Sequence, residues 1–130
     1  MEGDTDMEKI KLGAKTLLYP MPATIVGACV NGKPNFLTVA WCGIAGMEPA
    51  MISIALGRDY YTNAGIKENG TFSVNLPSED MVQITDFCGL YSGKNTDKSN
   101  LFQVFYGHLG NAPMIAECPL NLECRVARII

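Results

Sequence analysis

A chain of 130 residues, 48% hydrophobic and 18% charged, with 13 glycines and a formal charge of −3, is the size of one domain around one core. Its charged fraction, below the usual ~25%, argues against a disordered chain or a coiled coil, and a pI near 5.0 without a basic stripe leaves nucleic-acid binding little to work with. No apolar run approaches the roughly 18 residues of a membrane span, and the opening MEGDTDMEKIK lacks the apolar stretch of a signal peptide, so a cytoplasmic protein with no membrane partner is expected.

Residues 1–10 read as a mobile acidic leader, and residues 11–130 as one domain, because no repeat, low-complexity tract or linker divides them. The segment 23–30 (ATIVGACV) predicts a buried strand, and Asn31-Gly32 supplies the pair of positive φ angles that a tight hairpin needs. The returning strand is 35–41 (NFLTVAW), with Leu37, Val39 and Trp41 on one face and Phe36, Thr38 and Ala40 on the other. The segments 51–56 (MISIAL), 71–76 (TFSVNL) and 120–126 alternate in the same way and predict half-buried antiparallel strands. Between them, one helix is expected from Thr62 as N-cap to Gly70 at its C-terminal end. A second is expected from Ser78, with Glu79 and Asp80 in its first turn, turning Val82, Phe87 and Cys88 inward and stopping near Gly89. The stretch 91–111 reads as mostly irregular, and a loop of that length in a compact domain is usually functional. Strands joined by turns and short helices favour a closed or nearly closed β-barrel over a doubly wound sheet. Closure would hide the edges of such apolar strands.

No strong generic catalytic motif is present: there is no GxSxG, HExxH or P-loop, and His108 is the only histidine. That excludes a multi-histidine metal centre within this chain, and no motif marks a catalytic triad. His108 is either solvated or a group titrating near neutrality. Five cysteines without metal spacing read as free thiols behaving as small buried hydrophobes, with a reactive thiol at Cys42 or Cys88 as the alternative.

The remaining candidates are polar residues at strand ends and in loops. Asn35, Thr38 and Trp41 share one strand, Arg58, Tyr61 and Thr62 sit at a strand-to-helix junction, and Ser92, Gly93, Lys94, Asp97 and Lys98 form a compact polar loop. The junction suits an anion, because free N–H groups at a helix start, a guanidinium and a hydroxyl all donate. Trp41 offers a flat surface to a ring. A phosphate-bearing aromatic cofactor fits this set, but Thr62 is equally an N-cap and Trp41 equally a core residue.

The order of segments resembles the flavin reductase-like, FMN-binding split-barrel family, and its flavoredoxin branch in particular. The resemblance rests on LGAKTLLYPMPATIVG, GKPNFLTVAWCGI, EPAMISIALGRDYYTNAGI, GTFSVNLPSEDMV, SGKNTDK and the late CPLNLEC, in that order, from Leu12 to Cys124. It implies a mainly β fold, an antiparallel, Greek-key-like split β-barrel with short peripheral helices. It implies FMN bound non-covalently at a homodimer interface, NAD(P)H as co-substrate, and electrons passed to an acceptor or a redox partner protein. By the resemblance, Asn35 and Trp41 border the isoalloxazine ring, Thr62 contacts the cofactor and Lys98 is the lysine of the SGxxxDK loop; Thr38, Ala40, Arg58, Ser92 and Lys94 are companions. No catalytic acid, base or metal is implied, since the hard chemistry belongs to the flavin. Two alternatives stand beside a flavin reductase: an FMN-holding electron carrier without its own nicotinamide site, and a shortened cofactor-free binding module. Family members continue beyond the point matching Ile130, so the resemblance also implies a domain short of its C-terminal strands.

Overall fold

The computed structural model describes residues 6–130. Half of the expected leader, residues 1–5, lies outside the described residues; residues 6–20 are exposed and form no regular element. Strand β1 (Thr24–Val30) and strand β2 (Lys33–Val39) make the first hairpin. Asn31 and Gly32 turn it with φ of 52° and 78°, the pair of left-handed residues that matches strand twist.

A second hairpin joins β3 (Cys42–Met47) to β4 (Ala50–Ile54), with a register shift between Ile44 and Gly46. Strand β3 was not expected, because CGIAGM carries two glycines and no regular alternation. Then follow α1 (Tyr61–Asn69), β5 (Thr71–Leu76), a 3-10 turn (Glu79–Met81), α2 (Val82–Leu90), the short pair β6 (Val104–Phe105) and β7 (Met114–Ile115), and β8 (Leu120–Arg125). The main sheet is antiparallel in the order β2-β1-β5-β8, with the β3–β4 and β6–β7 pairs outside it. The protein is therefore mainly β with two short helices, and the barrel is split: the hairpin packs on the sheet without joining its ladder.

Register decides which side chains meet. Val26 pairs Leu37 on one side and Val74 on the other, and Val74 pairs Leu122, so these residues share a face. That face gathers Val26, Ala28, Val39, Phe72, Val74 and Ile66 of α1, with Ile52 and Ile54 of the hairpin packed on them. The opposite face collects Ile25, Phe36, Cys88, Phe102 and Ile115, and Phe36 meets Phe102 edge to face at 5.2 Å. Buried Asn75 laces this side together: its amide donates to the Ile25 carbonyl at 2.9 Å, and its oxygen accepts from the Ile115 N–H and the Asn121 amide.

Three local expectations are corrected. Strand β2 ends at Val39, so Trp41 does not continue its inner face and is half exposed, at 51%. The N-cap of α1 is Tyr60, and Thr62 lies inside the first turn; Gly70 does cap the end, with φ 68° and its N–H on the Ile66 carbonyl at 2.8 Å. Ser78 precedes the 3-10 turn as expected, but its hydroxyl bonds the Asp80 carboxylate, and Val82 points to solvent while Thr85 and Cys88 are buried. Among the described residues, no helix is long and apolar enough to cross a membrane.

Candidate functional site

The site is built where β2, the start of α1 and the loop after α2 converge. On β2, the side chain alternating with Phe36 turns Asn35 toward α1. Its amide donates to the Thr62 hydroxyl at 2.6 Å, both groups being buried. The loop then folds over this pair. A side chain at Gly93 would overlap the Asn35 carbonyl oxygen and the Tyr61 ring, so only glycine allows so close an approach. Ser92 nucleates the loop: its carbonyl accepts from the N–H groups of Asn95 and Thr96, and its hydroxyl from the Lys94 N–H at 3.2 Å.

Lys98 closes the loop from below. The residue is 2% exposed, and its ammonium donates to the carbonyls of Phe36 and Cys88 at 3.0 Å each, tying β2 to α2. Among the described residues no carboxylate forms an ion pair with it. Burial lowers its pKa and raises that of the adjacent Cys88 thiol to about 11, against the pull of the nearby ammonium. An ammonium has three donors and two are used. Lys98 also lines a cavity of about 270 Å³ together with Asn35, Tyr61, Gly93, Lys94 and Asp97. Asp97 is held acidic by hydrogen bonds from Ser99 and, less, by Lys33, whose ammonium lies 3.7 Å away.

A second cavity of about 270 Å³ adjoins it, lined by Arg58, Tyr60, Asn63 and Lys67, and sharing Tyr61 and Lys94 with the first. The Asn63 amide donates to the Arg58 carbonyl at 3.1 Å and braces the junction.

Of the nine expected site residues, Asn35, Thr62, Lys94, Lys98 and Ser92 are thus gathered around one loop, and Arg58 stands beside Lys94. Thr38 is elsewhere: on the other face of β2 its hydroxyl bonds the Thr85 carbonyl beneath Gly89. Ala40 and Trp41 are exposed beyond the end of β2 and line neither cavity; the Trp41 carbonyl accepts from the Ala55 N–H at 2.9 Å and extends the second hairpin. Sequence reasoning passed over Tyr60 and Lys67. Their signal was helical spacing, since Lys67 falls four residues after Asn63 on one face of α1.

The chemistry available is binding and charge. Among the described residues no cluster of metal-ligating side chains occurs, and all five cysteines are free. Burial raises the thiols of Cys88, Cys118 and Cys124 to about 11 and Cys42 to a lesser degree, which opposes the reactive-thiol alternative at Cys42 or Cys88. His108 is exposed and its backbone N–H is held by Glu123 at 2.8 Å.

Comparison with known proteins places this arrangement. Residues 16–130 match the family model of the flavin reductase like domain. The fold superimposes on flavoredoxin from Methanosarcina acetivorans with a TM-score of 0.91 at 51% identity, covering 94% of this chain and 66% of that one. It superimposes on flavoredoxin of Desulfovibrio vulgaris (Miyazaki F) with a TM-score of 0.86 at 36% identity, covering 95% and 69%. An uncharacterized protein of Archaeoglobus fulgidus is 31% identical over 113 residues, 85% of this chain. The chain spans 63% of that relative's length.

Proposed function

The chain belongs to the flavin reductase-like family, and from that membership we propose that it binds FMN non-covalently and moves electrons between NAD(P)H, the flavin and an acceptor. The observation that carries the reading is the closure of the Gly93 loop over Asn35 and Tyr61, which brings a buried, uncompensated ammonium to the floor of a polar cavity. Residues of this kind fit a planar, heteroatom-rich ring ending in a phosphate. Bound there, the flavin would supply hydride acceptance and onward electron transfer.

The chain's own residues bind and orient. Asn35, fixed by Thr62 and covered by Gly93, lines the wall against which a ring edge rests. Lys98 offers its third N–H and a positive charge that favours electron density on the bound ring. Arg58 and Lys94, exposed at the α1 junction, hold the phosphate. No acid or base of the protein is required.

A second copy completes the site in this reading. Trp41, Ile44 (88% exposed), Met47 (91%) and Met51 leave exposed apolar side chains on and beside the second hairpin, of the kind that marks association surfaces. A homodimer with Trp41 carried to a flavin at the interface is proposed, working in the cytoplasm with a redox partner protein.

Likeness to two flavoredoxins at 51% and 36% identity favours a second reading, an FMN-holding electron carrier without a nicotinamide site. Reconstitution with FMN and a visible spectrum test both: bound flavin absorbance is expected, and a colourless protein refutes both and leaves a cofactor-free module. NADH or NADPH consumption with excess FMN then separates them, because the carrier gives no turnover.

A further inference from the structure

Residues 9–19 (KIKLGAKTLLY) carry three lysines, no acid and four large aliphatic side chains. They are exposed throughout and form no regular element, Ile10 at 80% and Leu18 at 82%. Lys9, Lys11 and Lys15 enter no ion pair among the described residues. A face of the opposite charge stands uncovered elsewhere in the same chain. Helix α2 is held to the sheet on its inner side, where the Thr85 carbonyl accepts from the Thr38 hydroxyl and the Cys88 carbonyl from the Lys98 ammonium. Its outward stripe is Val82, Asp86 and Leu90, spaced four residues apart and all exposed. Glu79 and Asp80 stand on the 3-10 turn that leads into it. Between Lys67 and Lys94 the sequence holds no lysine or arginine, and none of these three acids enters an ion pair among the described residues.

We propose that residues 9–19 of one copy lie along the outward face of α2 of a second copy, lysines against Glu79, Asp80 and Asp86 and leucines on Val82 and Leu90. The lengths agree: Lys11 and Lys15 stand at most roughly 13 Å apart in an extended chain, and Asp80 to Asp86 spans roughly 10 Å along the helix. Isolated surface ion pairs contribute little. Here opposite charges rim apolar side chains that leave water together, which gives a contact both affinity and register. The contact passes between copies because both surfaces are exposed in the single chain; each copy gives one segment and receives one, which closes a pair. It uses none of the exposed side chains of the second hairpin and does not depend on a bound flavin.

Sedimentation velocity of the whole chain without flavin tests this. The wild type should associate at about 0.05 M salt and loosen at about 0.5 M. Lys11→Glu combined with Lys15→Glu should weaken association about tenfold, as should Glu79→Lys combined with Asp86→Lys, since each pair of changes sets like charges against each other. Mixed in equal amounts, the two variants should associate within about twofold of the wild type, because an acidic segment then meets a basic face in one direction and a basic segment an acidic face in the other. A mixture that stays apart would overturn the proposal. Wild-type association of either variant alone would overturn it too, and would assign the pairing to the second hairpin. A wild type monomeric at low salt, with both variants melting earlier and mixing restoring nothing, would place the segment on α2 of its own chain instead. All four substituted side chains are exposed, so circular dichroism melts should match the wild type and separate lost association from lost folding.

Discussion

The Asn35 amide donates to the Thr62 hydroxyl at 2.6 Å, joining an inner position of β2 to the first turn of α1. This bond sets the angle at which the helix start meets the sheet, and both partners are buried, so neither can turn to water when the other is removed. Asn35→Ala should therefore destabilise the fold by about 1–2 kcal/mol and weaken FMN. Urea unfolding and a flavin titration measure the two effects; unchanged affinity would remove Asn35 from the site.

Lys98 and Arg58 should separate by ligand. Lys98→Met orphans the Phe36 and Cys88 carbonyls but relieves the desolvation of a buried ammonium, so its net cost to stability should be small, about 1 kcal/mol. Because Lys98 lies at the cavity floor, FMN and riboflavin should weaken together. Arg58→Ala should weaken FMN and spare riboflavin. A larger FMN-specific loss in Lys98→Met would move Lys98 to the phosphate.

The loop closure depends on one missing side chain. Gly93→Ala places a methyl group on the Asn35 oxygen and the Tyr61 ring and should open the loop, with loss of FMN binding and a fold that persists. Gly70→Ala is the contrast: its φ of 68° is strained for alanine but nothing lies within 4 Å, so it should cost about 1 kcal/mol and leave binding intact. Circular dichroism melts with parallel FMN titrations distinguish the two.

The buried thiols predict an alkaline limit. Cys88, Cys118 and Cys124 titrate near 11 when folded, above their ordinary value of 9.0, so the unfolded chain releases these protons first as pH rises. Their contribution to stability is complete below pH 9 and is lost between about pH 9 and 11. Denaturant midpoints across this range should fall, and iodoacetamide at neutral pH should modify these thiols far more slowly than in the unfolded chain. Rapid modification of Cys88 in the native protein would contradict its burial.

Legibility followed the physical range of each signal. The Asn31-Gly32 hairpin, β5 and β8 were readable because turn chemistry and period-two alternation are local. Strand β3 was hidden because its alternation is broken by glycines and its partner is a bulged hairpin. Thr62 read as an N-cap, and only the approach of Asn35 from β2, 27 residues away, turned its hydroxyl to another use. Trp41 was given an inner face by alternation that stops at Val39, where the ladder ends.

By itself the sequence determined the class of molecule, mainly β with two short helices, and the segments that the fold brings together around one loop. The tertiary structure decided what those segments do together. Lys98 read as one member of a compact polar loop, and long-range packing made it a buried cation spanning Phe36 and Cys88; Gly93 read as another member, and the crowding of Asn35 and Tyr61 made it the closure. The reason is that composition and periodicity act between neighbours in the chain, whereas burial, desolvation and the meeting of cavities are set by residues distant in sequence.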